Sequence, residues 1–451
     1  MRNVRIGLLL IIGMVITAGC GQEREVTQPE VQEPEKIYVY AADDEFEKLL
    51  TYAEEDYPEL QERLVYVKAE ADDFGSFMNN VFQDKEAEEY PDIIVSPYSE
   101  MGTFVESENI AALSDIGITD ADCSQMYGYS LDAAKSADGS LKGLTWRVNP
   151  GVFMYRTELA EEIFGDSSSK NIQSYTKDWD TFTDTARSIY KATDGKTAML
   201  ASGHEVEDVF ACSRAKAWLV NDEINIDKAY DKLMDVRYTL EKNGLVKKAE
   251  YNGTGYLKAA GGNSVFGYFV TADFLSGGGS MNINGMKESL GYTGDWNVCA
   301  GPAPFAEMGS YIMVTDSCCD KELVAQVIKK LCCDMAVMEK IRAEEGAFVN
   351  NAKVMANAYN TGKGQPALLG GNDYIKVCSE QATSLSGICV GKYDTELNRL
   401  MCGLADEYVS GSSDKDAVKE KFVQEAQQII NPPQVTDTVE TSADSEQNIE
   451  E

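Results

Sequence analysis

Positive charge is what this chain lacks most: 40 lysines and arginines stand against 75 aspartates and glutamates, a formal net charge of -35. So acidic a surface repels phosphate backbones and anionic headgroups, which argues against nucleic acid as a partner. Histidine is nearly absent as well, with His204 in "ASGHEVED" the single copy. No His-Glu-x-x-His zinc motif can be built from one histidine, and no Ser or Cys motif recognisable as its nucleophilic partner is present. No apolar run reaches the roughly 20 residues needed to cross a bilayer. The Gly-rich "SGGGS" at 276–280 has no Gly-Lys-Ser or Gly-Lys-Thr after it, so it reads as a loop and not as a phosphate cradle.

Eleven cysteines are present, yet their spacing is not that of a metal site. Paired zinc ligands sit two to four residues apart, whereas Cys318-Cys319 and Cys332-Cys333 are adjacent, the second pair inside a predicted helix. Buried thiols, or one or two disulfides, are expected, with no metal and no cofactor. The first twenty residues read as an export signal, in which Arg2 and Arg5 precede an apolar stretch from Ile6 to Ile16 and the small residues Thr17-Ala18-Gly19 precede Cys20. This ending resembles a bacterial lipobox, with Cys20 the lipid anchor. Residues 21–36 are too polar and Pro-rich to bury a core and read as a tether. The acidic segment 432–451 has the same character.

Between them the chain exceeds what one hydrophobic core usually supports, so two lobes are expected. Ile37 to Ala41 is a short apolar strand, Asp43 and Asp44 are candidate helix caps, and Phe46, Leu49, Leu50 and Ala53 recur at helical spacing. A second strand in "RLVYVKA" and a third in "DIIV" continue the alternation, which predicts an α/β fold around a parallel sheet. Further on, "TELAEEIFG" reads as a helix capped by Thr157 and stopped by Gly165. "DWDTFTDTARSIY" puts Phe182, Ala186, Ile189 and Tyr190 on one face. Leu323, Val327, Ile328 and Leu331 form another stripe. Ligands of parallel sheets bind beyond the carboxyl ends of the strands. That rule selects Asp43, Asp44, Tyr98 and the run Trp146-Arg147-Val148-Asn149.

The order of "YPDIIVSPYSEMGTFVESENIAALSDI", "DGSLKGLTWRVNPGVFMYRTELAEEIFG", "DWDTFTDTARSI", "GYLKAAGGNSVFGYFVTADFL" and "DWNVCAGPAPFAEMGSYIMVTD" resembles the family 1 extracellular solute-binding proteins of ABC importers. The resemblance implies a two-lobed periplasmic-binding-protein-like fold of type II, with lobe 1 formed by 37–148 and 297–352 and lobe 2 by 149–296 and 353–431. It implies hinge strands near Trp146 to Asn149, Trp296 to Cys299 and Val349 to Val354. It also implies a ligand held between the lobes, most often a sugar. Sugar rings stack on aromatic faces and their hydroxyls bond carboxylates and amides. Tyr98, Trp146, Phe269 and Trp296 are then candidate rings, and Asp43, Asp44, Arg147 and Asn149 candidate polar contacts. The implied partners are a carbohydrate, the permease subunits of the importer and, through Cys20, the membrane; a monomer without enzymatic activity is expected. A peptide or polyol ligand, capture of a surface glycan or protein without transport, and a surface glycosidase are the alternatives.

Overall fold

Two β-sheets organise the chain. The computed structural model describes residues 34–431 apart from 70–73, 221–222, 254, 278–281, 291–295, 308 and 387–390. Cys20, most of the 21–36 tether and the 432–451 segment lie outside the described residues.

The first sheet has five strands in the order Leu64–Lys68, Ile37–Ala41, Ile93–Ser96, Tyr311–Val314, Gly143–Leu144. Ile37–Ala41 runs parallel to both of its neighbours, as the strand–helix alternation predicts, while Tyr311–Val314 is antiparallel to both of its own. Parallel strands covered on both faces read as unbroken apolar runs, and Ile93–Ser96 is buried throughout. The second sheet centres on Asn149–Arg156, whose eight residues are all buried. Gly267–Thr271, Trp296–Cys299 and Ala306–Glu307 pair antiparallel to it. The fold is thus α/β and two-lobed, with mixed sheets.

The chain passes between the sheets three times. Residues 146–148 run antiparallel to 348–350: Val148 N donates to Phe348 O, and Asn350 N donates to Trp146 O, each at 2.9 Å. Arg147 stands opposite Val349. The remaining passage departs from expectation. Trp296–Cys299 pairs with residues 153–156 inside the second sheet, and the chain reaches the first sheet only between Glu307 and Tyr311. An apolar run such as "WNVC" announces a buried strand, but nothing in it says which sheet it joins.

Local chemistry fixes several helix ends. Asp178 accepts a hydrogen bond from Thr181 N at 2.7 Å and opens the helix Trp179–Ala192. Gly165, at φ 73°, ends Thr157–Phe164 in the left-handed conformation that glycine adopts without strain. Thr157 is the first residue of that helix, not its cap; the cap position is Arg156, which makes no side-chain bond there. Tyr190 leaves the apolar face predicted for it and is 36% exposed, its ring lying against the turn at Gly195. The described cysteines are free thiols, Cys332 and Cys378 among the buried ones.

Candidate functional site

Three adjoining cavities occupy the junction of the two sheets. The first, about 310 Å³, is lined by Asn149, Glu205, Asp208, Tyr251, Tyr256, Phe269, Asp273, Phe305 and Glu307 among others. A second of about 130 Å³ lies along Glu45, Trp146, Arg147 and Asp273. The third, about 550 Å³, is bounded by Asp43, Glu45, Tyr98, Arg147, Asp208, Arg214, Glu307 and Asp394. Shared walls make them one cleft: Asp273 joins the first to the second, Glu45 and Arg147 the second to the third, Asp208 and Glu307 the third to the first.

Arg147 sits at the centre because the crossing segment carries it there. Its guanidinium reaches Glu45 at 3.0 Å, on the helix Glu45–Leu50 that follows the first strand, and Asp273 at 3.1 Å, on the helix Ala272–Ser276 that follows Gly267–Thr271. One side chain therefore ties elements from both sheets. Burial raises the carboxyl pKa values of Glu45 and Asp273 above the usual range, and Arg147 only partly opposes it.

Asn149 is spent on the protein itself. Its Nδ2 donates to Glu307 Oε2 at 2.8 Å and its Oδ1 accepts from Asp273 N at 2.8 Å. Phe269 lines the first cavity with its ring packed on Phe153 and Phe305 at centroid distances of 5.3 and 5.8 Å. That packing depends on Gly151, where a Cβ would lie 2.1 Å from the Phe305 ring. Asp43 and Tyr98 line the third cavity; Asp43 also accepts from Glu45 N at 2.8 Å, fixing the start of the helix.

Three expectations need correction. Asp44 points away from the cleft, exposed and paired with Lys68 at 2.8 Å, which holds its pKa below the usual range. Trp296 is fully buried in the second sheet, with Arg156 5.3 Å over its ring, and lines none of the three cavities. Trp146 is 2% exposed, packed on Phe46 at 6.4 Å, so its ring belongs chiefly to the core and only borders the smallest cavity.

Sequence reasoning missed Glu45, Glu205, Asp208, Tyr251, Asp273, Phe305 and Glu307. Carboxylates are so abundant here that none stands out, although Glu205 and Asp208 share a helix face at i, i+3. Glu205 accepts from Ser202 N and Phe269 N at 2.9 and 3.1 Å, and burial still pushes its carboxyl up to about 8. Asp208 accepts from the Tyr251 hydroxyl at 2.6 Å and is likewise raised by burial. Glu307 opens onto cleft water along much of its length, while its carboxyl is raised to about 6 by desolvation, then by Asp208 and Asp273.

His204, its side chain 40% exposed, joins an ion-pair network around the buried Arg237. Its Nδ1 lies 2.9 Å from Glu207, and with Asp406 these two form a group whose ligand atoms lie within 4.8 Å of one another. The Arg237 guanidinium already fills that position, 2.7 Å from each carboxylate. A metal cation there would face a fixed positive charge.

Residues 45–260 match the family model described as bacterial extracellular solute-binding protein. No curated protein matches the sequence. Among solved structures, an extracellular solute-binding protein of family 1 superposes with a TM-score of 0.74 at 15% identity, covering 88% of this chain and 100% of that one. The sugar-binding protein MalE of Xanthomonas citri gives 0.67 at 16% identity, over 88% and 97% of the two chains. The galacto-N-biose/lacto-N-biose I-binding protein of an ABC transporter from Bifidobacterium longum gives 0.61 at 13% identity, over 88% and 97%. The resemblance read from the sequence is therefore met, in sequence over residues 45–260 and in fold over most of the chain.

Proposed function

From a chain that matches the extracellular solute-binding proteins in sequence and shares their fold, we propose that this protein is the lipid-anchored binding component of an ABC importer and captures a carbohydrate in the cleft between its sheets. The observation that carries this reading is the first cavity, where the rings of Tyr251, Phe269 and Phe305 stand beside the carboxylates of Asp208 and Glu307. Flat C–H faces of a sugar pack on such rings, and its hydroxyls donate to such carboxylates. Two of the three structural neighbours named above are called a sugar-binding protein and a galacto-N-biose/lacto-N-biose I-binding protein, which supports the choice of solute.

In this reading one lobe comprises residues 37–148 and 309–352, and the other 149–307 and 353–431. Solute touching both would favour the closed arrangement by its differential affinity, and the closed surface is what a permease would engage. Nothing needs to be turned over. Cys20 would hold the monomer at the outer face of the membrane; among the described residues no helix is long and apolar enough to cross one.

Thermal unfolding against mono- and oligosaccharides, polyols, amino acids and peptides tests the reading. A ligand at about 100 times its dissociation constant adds roughly 2.7 kcal/mol. Stabilisation by a sugar supports the proposal, and stabilisation by peptides or amino acids alone overturns it.

A further inference from the structure

The charge balance of the first cavity narrows the solute. We propose that the cleft recognises a protonated amine, carried by a sugar-sized solute and seated between Asp208 and Glu307 against the ring of Phe305. This rests on the reading of the cleft as the solute site.

Among the described residues no lysine or arginine lines this cavity, whereas four carboxylates do. Two of the four need no outside cation: Asp273 faces Arg147 at 3.1 Å, and Glu205, bonded by two backbone N–H groups, is kept largely protonated by burial. Asp208 and Glu307 have only neutral partners, the Tyr251 hydroxyl at 2.6 Å and the Asn149 amide at 2.8 Å. Both also line the neighbouring 550 Å³ cavity, so both face open space in which a ligand can approach.

A second observation points the same way. Tyr256 is 4% exposed and lines the first cavity, and its hydroxyl lies towards the Glu205 carboxylate without completing a hydrogen bond of ordinary geometry. A buried hydroxyl so poorly satisfied is costly, and a polar group of a ligand reaching it would lower that cost. Four carboxylates thus stand against few donors in the lining: Asn149 gives one Nδ2 N–H to Glu307, and Asn252 and Thr271 supply the other amide and a hydroxyl.

A neutral sugar brings about as many acceptors as donors, and its acceptors would find few partners here. An ammonium group brings donors alone, together with the charge that Asp208 and Glu307 lack. Aromatic faces add cation–π attraction, strongest where water is excluded.

Titration calorimetry on the full-length protein in detergent separates the possibilities. The arms are glucosamine and chitosan oligosaccharides, their N-acetylated forms, glucose and malto-oligosaccharides, and the linear amines putrescine and spermidine. The expected result is that at least one free amine binds ten-fold or more tightly than its acetylated or neutral counterpart. Preference for amino sugars or for linear amines then identifies the source of the ammonium. Asp208→Asn and Glu307→Gln should each weaken that amine at least ten-fold while the melting temperature holds, since neutralising a carboxylate relieves repulsion. Equal or tighter binding of the neutral sugar overturns the amine proposal and leaves the carbohydrate reading standing. Amine binding that survives both substitutions places the site elsewhere and also overturns it. If no arm binds, both readings fall.

Discussion

Arg147 and Asp273, far apart in sequence, meet through a contact of 3.1 Å that joins the crossing segment to the helix Ala272–Ser276, and the same guanidinium holds Glu45 on the other side. All three side chains are between one fifth and one third exposed. Replacing Arg147 by Ala leaves two carboxylates facing one another without compensation. A loss of about 1–2 kcal/mol is expected, between the values for exposed and buried pairs. Urea unfolding at neutral pH measures it; an unchanged midpoint would show that the contact is ornamental.

Trp146→Ala should behave as a core truncation. With 2% exposure and Phe46 against its ring, the cost should be about 3–5 kcal/mol. Solute affinity would then suffer through the fold. A variant that keeps its melting temperature yet stops binding would restore Trp146 as a direct contact.

Gly151→Ala drives a methyl group into the Phe305 ring, 2.1 Å away. Overpacking of this kind costs about 1–3 kcal/mol, and because Phe305 walls the first cavity the ring cannot yield without reshaping it. Both the melting temperature and the solute affinity should fall. Unaltered affinity would detach Phe305 from the site.

Glu205 predicts how stability responds to pH. Burial raises its carboxyl from the ordinary 4.5 to about 8 in the folded protein, so folding takes up a proton between those values. Its contribution is complete below about pH 4.5 and is lost as pH rises through about 8. Melting temperature should therefore decline from pH 5 to 9 more steeply in the native chain than in Glu205→Gln; parallel profiles would contradict the assignment.

Glu307 makes the opposite prediction for binding. Its carboxyl is raised to about 6, so it is largely protonated at pH 5 and ionised at pH 7. A linear alkylamine such as putrescine remains charged across that range and gains its partner only as Glu307 ionises. Amine affinity should rise from pH 5 to 7, and Glu307→Gln should flatten the rise. In the free protein the same raised value means stability present below about 4.5 and lost through about 6, weakly, because cleft water screens the group.

Much of the architecture was legible in the sequence because it is encoded in neighbouring residues. The bounds of Ile37–Ala41 and the stop at Gly165 follow from apolar periodicity and backbone preference, which act within a few positions. Strand-end reasoning picked out residues 146–149 as site candidates, and the family resemblance implied that the chain crosses there. Tertiary structure alone decided where Trp296–Cys299 would pair and which of many carboxylates would face the cleft. Asp208, Asp273 and Glu307 lie on separate elements and look like any other acidic residues of a chain carrying 75 of them. Their significance comes from desolvation and mutual repulsion, which depend on distances in space. Trp146 and Trp296 show the converse: an aromatic at a strand end reads the same whether its ring faces a ligand or a neighbouring core, and packing chose the core for both.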